Sequence, residues 1–368
     1  MKRVLQVLGN TGIGGAESRV MDLYRHMDRD MIQFDFLVHR KNGYFNKEIE
    51  SLGGNVYYLP PFRIYNYLAY RKAVRDFFEE HNEYLAVHGH MTSTAAIYLP
   101  EAKKVGIPLT IAHARSAGVD KGIKGKLTRI LRKNLYRKCD VMLACSDLAA
   151  ISVFGQRRYD DGDTVFVPNA VDTSAFKKDE KERSRIRNLY NIGEETVIGH
   201  VGRFHYAKNH EFALDVFKAY LELDSDAKFM MVGDGETKSR IEEYAKEIGI
   251  DSNVIFTGNQ NPVESFYQAF DMFLFPSRYE GRPGTIVEAQ AAGIPCLLSD
   301  TITKQVKVSD MVEYMSLNTN PTSWAQKLFE FKGKEWNSLD LLNTNFDVNH
   351  QVKKYMKFYV SRDVNDLR

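Results

Sequence analysis

VIGHVGRFHYAKN, residues 197–209, begins as a β-branched run, breaks at Gly202 and turns through Arg203 and Lys208. Beyond it Ala213, Val216, Phe217, Tyr220 and Leu221 recur at helical spacing. Residues 4–18, VLQVLGNTGIGGAES, open in the same way: strand, glycine-rich turn, helix. The alternation of strand and helix therefore starts twice. Strands are expected at 4–8, 34–38, 56–59, 85–88, 109–112, 141–144 and 165–167. A second series is expected at 197–201, 229–232, 254–256, 272–275 and 296–299. Such alternation builds a parallel sheet covered by helices on both faces. Between the two series, DTSAFKKDEKERSRIRNLYNIGEE (172–195) is charged and carries no strand signal. The expected fold is α/β, with two Rossmann-like domains whose strand C-terminal ends face a central cleft. The expected boundaries are 1–171 and 172–345. Residues 346–368 form an amphipathic helix that returns to the first domain.

Size and composition agree with two packed domains. Hydrophobic residues make up 43% and charged residues 27% of the chain, which are globular proportions. A formal charge of only +2 gives no general pull toward nucleic acid. No apolar run reaches eighteen residues and no apolar stretch follows Lys2-Arg3, so neither a membrane span nor a leader is expected. Cys139, Cys145 and Cys296 lack metal-ligand spacing and read as buried thiols of a cytoplasmic protein.

The chemistry concentrates in EGRPGTIVEAQAAGIPCLLSD (280–300), where two carboxylates stand eight residues apart across a chain break. Gly281, Pro283 and Gly284 oppose a helix, and one is expected from Thr285 to Ala292. Glu280 then sits in a loop and Glu288 in the first turns of the helix. The amides of Gly284, Thr285 and Ile286 make an anion site at its N-terminus. Arg203 and Lys208, at a strand's C-terminal end, suit a diphosphate, the arginine as a planar fork and the lysine as a point charge. The first glycine loop offers Gly12, Gly14 and Gly15, but the third position of a dinucleotide fingerprint is Glu17. The second strand ends in His39-Arg40, with no acid for a nicotinamide-dinucleotide ribose. His88, His90 and His113 lie at expected strand ends, and no spacing in the chain points to a bound metal. KGIKGKLTRILRKNLYRK (Lys121–Lys138) holds eight Lys and Arg and no acid, with Leu127, Ile130, Leu131 and Leu135 on one stripe. That pattern fits either a core-packed helix with a solvated back or a basic face for an anionic membrane.

GGAE, VPNAVD, VGRFHYAKN, VGDGE, FTGNQ and FPSRYEGRPGTIVEAQAAGIP occur in that order. In this the chain resembles glycosyltransferase family 4, retaining enzymes of the GT-B fold, and more loosely their bacterial capsule and exopolysaccharide members. The resemblance covers nearly the whole chain and is strongest over 165–300. It implies that Glu280 faces the donor sugar and that Glu288 accepts hydrogen bonds from a ribose. Arg203 and Lys208 would neutralise the leaving diphosphate, and Gly284–Ile286 would meet phosphate and sugar hydroxyls. Gly14 and Gly15 would close on phosphate or acceptor, His113 would lie near the sugar, and Asn259 and Gln260 would lie near the base. It also implies a nucleotide-sugar donor, UDP-linked by family habit, a saccharide acceptor carried on lipid, no cofactor and no obligatory metal. Many members carry an aliphatic residue where Arg282 stands. Two other readings stand beside this one: a non-catalytic nucleotide-sugar-binding partner of another transferase, and a Rossmann-type NAD(P) oxidoreductase.

Overall fold

The computed structural model describes residues 2–115, 122–334, 341 and 344–368. It divides into two compact units, Met1–Ala170 with Asn343–Arg368, and Val171–Leu342. The first unit therefore takes in the C-terminal helix Val348–Ser361. The charged stretch 172–195 goes with the second unit and forms the helix Glu180–Leu189, capped by Asp179, whose carboxylate accepts from the amides of Lys181 and Glu182.

In the first unit β1 (Lys2–Val7), β2 (Ile32–Val38), β3 (Val56–Tyr58), β4 (Ala86–Gly89), β5 (Thr110–Ala114), β6 (Val141–Ala144) and β7 (Thr164–Phe166) form one sheet. Its order is β3-β2-β1-β4-β5-β6-β7 and every pair is parallel. Successive side chains of a strand go to opposite faces, and here both faces are dry. Leu5, Val7, Val87 and Ala112 join one core with Tyr70, Val74 and Phe78 of the helix Tyr67–Glu80. Val4, Ala86 and Ile111 join the other, with Val20 and Tyr24 of the helix Gly15–His26 and Tyr355, Phe358 and Tyr359 of Val348–Ser361. Asp347 caps that last helix through the amides of Asn349 and His350.

In the second unit β8 (Val197–Val201), β9 (Lys228–Val232), β10 (Val254–Gly258), β11 (Met272–Phe275), β12 (Cys296–Ser299) and β13 (Val312–Met315) form a sheet of order β10-β9-β8-β11-β12-β13, again with parallel pairs. The helix His210–Leu221 buries Ala213, Val216, Phe217 and Tyr220 against it, as the periodicity predicts, together with Leu214, while Leu221 is only partly buried. β13 is absent from the sequence expectations. It is an edge strand whose Glu313 is exposed, so it lacks the continuous apolar run that marked the others. The three cysteines are buried, and burial pushes the Cys139 thiol up to about 12. Among the described residues no helix is long and apolar enough to cross a membrane.

The basic segment departs from its expected layout. It forms the helix Gly122–Arg132 and a short 3-10 turn at Leu135–Arg137; Lys121 lies outside the described residues. Leu135 is buried, but Ile130 is 68% exposed, so the expected apolar stripe is not all core. Arg132 turns inward instead and donates from Nε to Thr92 Oγ1 at 3.1 Å.

Candidate active site

The second unit brings Lys208 and Glu280 together. β8 and β11 are neighbours, with Ile198 opposite Met272, so the turns leaving their C-terminal ends are adjacent. Lys208 Nζ lies 2.7 Å from Glu280 Oε1, each side chain is 16% exposed, and Nζ sits 4.4 Å from the centre of the Phe275 ring. The Arg278 amide donates to the Ala207 carbonyl at 2.7 Å and ties one turn to the other. Ser299 and Thr301 hydroxyls both donate to the Ser277 carbonyl, pinning the start of the Glu280 loop to the end of β12. Withdrawing an ammonium and a carboxylate from water costs more than an exposed pair would, so the pair is weak evidence for stability. What it provides is a cation fixed in place at the end of the sheet.

Arg203 is mostly exposed and is paired with Glu236 at 2.9 Å, while His205 approaches the same carboxylate at 3.4 Å. The VGDGE turn carrying Glu236 must pass very close to the Arg203 turn. Gly233 has φ +140°, and a Cβ there would fall 2.1 Å from the Gly202 carbonyl oxygen.

The helix beginning the EAQAAGIP segment runs Gly284–Ala291, one residue earlier than expected at its start, and no side chain caps it. Its first amides have no intrahelical acceptor, and Pro283 before it has no N–H. Thr285 Oγ1 and Ser277 Oγ are buried without a hydrogen-bond partner among the described residues. A Cβ on Gly284 would meet only Glu288 Oε1, at 3.6 Å, so the fold itself tolerates one and the glycine keeps the amides open to approach. Glu288 is not a surface residue. It is buried, and Tyr267 Oη donates to its Oε2 at 2.7 Å. Arg282 reaches Gln305 Oε1 rather than standing free in solvent. Asn259 and Gln260 follow β10, the far edge of the sheet; Asn259 is exposed and Gln260 Nε2 donates to the Thr257 carbonyl at 2.6 Å. β10 stands three places from β11, the strand that leads to Glu280.

In the first unit the glycine turn leads into Gly15–His26. Gly14 is extended, with φ −152°, so no left-handed backbone demands a glycine there. Its missing Cβ leaves room for the Glu17 carboxylate, whose Oε2 would lie 2.4 Å from that atom, while Gly15 borders open space. Burial raises the Glu17 carboxyl above its ordinary range, and the nearby Arg115 charge opposes this.

The three histidines that looked separate in sequence form one buried group, with a nitrogen from each lying within 4.8 Å of the others. Spacing alone missed it because the group is made by strand register. Gln6 of β1 stands opposite His88 of β4, and His88 opposite Ile111 of β5, two residues before His113 on the same face. His88 Nε2 meets His113 Nδ1 at 3.0 Å, His88 Nδ1 meets Tyr359 Oη at 2.7 Å, and His90 Nε2 meets Gln6 Oε1 at 2.9 Å. Arg115 Nε donates to His90 Nδ1 at 3.2 Å and its Nη1 to Asn169 Oδ1 of the VPNAVD motif at 2.9 Å. Burial holds all three imidazoles well below their ordinary pKa, with Arg115 adding to the effect at each.

Two family models match the chain, Glycosyltransferase Family 4 over residues 13–175 and Glycosyl transferases group 1 over residues 182–332. The candidate glycosyltransferase EpsF of Bacillus subtilis (strain 168) is 33% identical over 333 residues, covering 89% of this chain and 87% of that one. The capsular polysaccharide biosynthesis glycosyltransferase CapH of Staphylococcus aureus is 24% identical over 383 residues, covering 98% and 99%. The crystal structure of Anabaena Alr3699/HepE in complex with UDP-glucose superposes with a TM-score of 0.78 at 17% identity, over 99% of this chain and 100% of that one.

Proposed function

This chain belongs to glycosyltransferase family 4, has the GT-B fold and acts in polysaccharide biosynthesis, and on that premise we propose that it is a retaining hexosyltransferase moving a sugar from a UDP-sugar to a lipid-linked saccharide. The observation that carries this is the fixed Lys208–Glu280 pair beside the uncapped amides of Gly284–Ile286. As the glycosidic bond loosens, negative charge grows on the leaving diphosphate. Lys208 and the helix amides meet that charge without having to reorganise, and Arg203 joins them by exchanging Glu236 for the diphosphate. Glu280 lies by the sugar, Glu288 takes the ribose hydroxyls, and Asn259 and Gln260 serve the base. Gly15, which borders open space, leaves room for phosphate or acceptor next to Gly14, which seats the Glu17 carboxylate, and His113 donates to a sugar hydroxyl. With the charge met this way the reaction has no obligatory metal. The UDP assignment is supported by the fold shared with a protein crystallised with UDP-glucose. An oxidoreductase reading is disfavoured by Glu17, whose carboxylate fills the space beside Gly14 that a dinucleotide phosphate would need.

The test is thermal stabilisation by UDP, GDP, ADP and NAD(P), since a ligand that binds the native state raises Tm by mass action. UDP alone is expected to stabilise, and Arg203→Ala to remove most of the shift. Stabilisation by NAD(P) without UDP would overturn the proposal. UDP binding with turnover only in the presence of a second chain would favour the non-catalytic reading.

A lipid-linked acceptor on the cytoplasmic membrane face is supported by an exposed run at the start of the helix Tyr67–Glu80. Tyr65 is 89% and Leu68 77% exposed, with Ile64 and Tyr67 beside them and Arg63 and Lys72 flanking. The basic helix adds exposed Lys126 and Arg129. Tyr65→Ser with Leu68→Ser is expected to cut sedimentation with anionic liposomes at least fivefold at any salt concentration. Lys126→Glu with Arg129→Glu is expected to cut it mainly at low salt. Full binding by the fourfold variant would discard the membrane contact.

A further inference from the structure

The histidine group has a direction, and that direction ends at His113. Arginine stays protonated and its Nε–H can only donate. Arg115 Nε therefore makes His90 Nδ1 an acceptor. A neutral His90 must then carry its proton on Nε2 and donate it to Gln6 Oε1. This leaves no choice in the Gln6 amide, whose Nε2 faces Tyr359 Oη at 3.5 Å. A tyrosine hydroxyl that accepts from Gln6 has its own proton free for His88 Nδ1, 2.7 Å away. His88, accepting at Nδ1, carries its proton on Nε2 and donates it to His113 Nδ1 at 3.0 Å. His113 accepts at Nδ1, so its proton is on Nε2. That nitrogen is buried and has no hydrogen-bond partner among the described residues.

We propose that Arg115, His90, Gln6, Tyr359 and His88 are positioning residues that hold His113 in its Nε2–H tautomer, so that it presents a hydrogen-bond donor to an acceptor oxygen of the bound sugar nucleotide. Five side chains from two β-strands, the residues just beyond two strands and the C-terminal helix thus set which atom one imidazole offers. The burial of the group keeps the imidazoles neutral, which the chain of hydrogen bonds requires. Leaving such a donor unpaired in the interior is costly, and that cost is recovered when a ligand oxygen arrives. The metal alternative is weaker: the ring nitrogens facing one another already exchange hydrogen bonds, and the fixed cation Arg115 adjoins the group, with no carboxylate hydrogen-bonded to any of the three rings among the described residues. The role given to His113 rests on the proposed function; the tautomer does not.

Gln6→Glu tests the direction at constant shape. A carboxylate accepts from both sides, so His90 keeps its Nε2–H while Tyr359 donates to the new carboxylate instead of to His88. His88 must then donate from Nδ1 and accept at Nε2, and His113 must donate from Nδ1 and expose a bare Nε2. Ring 15N shifts and 1H–15N couplings in histidine-labelled full-length protein above pH 8 report each tautomer. The wild type is expected to show three Nε2–H rings. Q6E is expected to switch His88 and His113 and leave His90 unchanged. Tyr359→Phe, which loses only a hydroxyl, is expected to give a mixture at His113, and it serves if Q6E does not fold. His113 remaining Nε2–H in the folded variants, or Nδ1–H in the wild type, would overturn the proposal. So would a stoichiometric zinc ion on the purified protein with metal-shifted histidine signals. With UDP-glucose and UDP as probes, Q6E is expected to weaken UDP-glucose five- to tenfold and UDP less than twofold. If neither nucleotide binds the wild type, the proposed function fails and the tautomer result stands by itself.

Discussion

Lys208→Met is expected to lower kcat about 10²- to 10³-fold, the loss typical when one preorganised group facing developing negative charge is removed, equivalent to about 3–4 kcal/mol. Methionine keeps most of the side chain's volume and its contact with Phe275, so the fold is expected to survive, as a melting curve would verify. The ammonium is what disappears, and in the proposed reaction it matters most when the diphosphate leaves. KM for the donor is therefore expected to change less than kcat. Glu280→Gln separates the two members of the pair. If Glu280 only holds Lys208 in place, the double variant is no slower than Lys208→Met. If Glu280 also acts on the sugar, the double variant is slower than either single one. A Lys208→Met enzyme within threefold of the wild-type kcat would remove the lysine from the mechanism.

The strands were largely legible because parallel strands covered on both faces need unbroken apolar runs. Val141–Ala144, Val197–Val201, Met272–Phe275 and Cys296–Ser299 have the bounds read from sequence. β13 was not legible, since an edge strand with an exposed Glu313 needs no such run. Lys208 and Glu280 were each visible beside a glycine break, but their pairing was not. It depends on β8 lying next to β11, a fact of sheet order that neither local segment contains. The histidine group shows the same limit more sharply. His88 and His113 are 25 residues apart and Tyr359 lies 271 residues beyond His88, and only strand register and the return of the last helix bring them together. Arg115 gave no signal of its own. Its importance comes from the two acceptors, on His90 and Asn169, that flank its guanidinium. Glu17, in sequence a defect in a dinucleotide fingerprint, is in the structure the reason Gly14 is small.

Glu288→Gln is expected to raise KM for the UDP-sugar 10- to 100-fold while changing kcat less than threefold. The carboxylate is buried, and Tyr267 occupies one oxygen with a 2.7 Å hydrogen bond. Hydroxyls donating to an ionised acceptor gain about 1.5–3 kcal/mol, and the neutral amide forfeits much of that and turns an N–H toward one of them. In the proposed reaction the affected contact is to the ribose, remote from the breaking bond, so ground state and transition state lose alike and the cost appears in binding. A purely structural Glu288 makes a different pattern. Glutamine still offers Tyr267 an acceptor, so donor affinity would hold, and Tyr267→Phe, which removes the hydrogen bond altogether, would destabilise the protein more than Glu288→Gln. Direct titration with UDP distinguishes the two without any acceptor substrate. Retained UDP affinity in Glu288→Gln would assign the buried carboxylate to the packing of Tyr267 and leave the ribose without its partner.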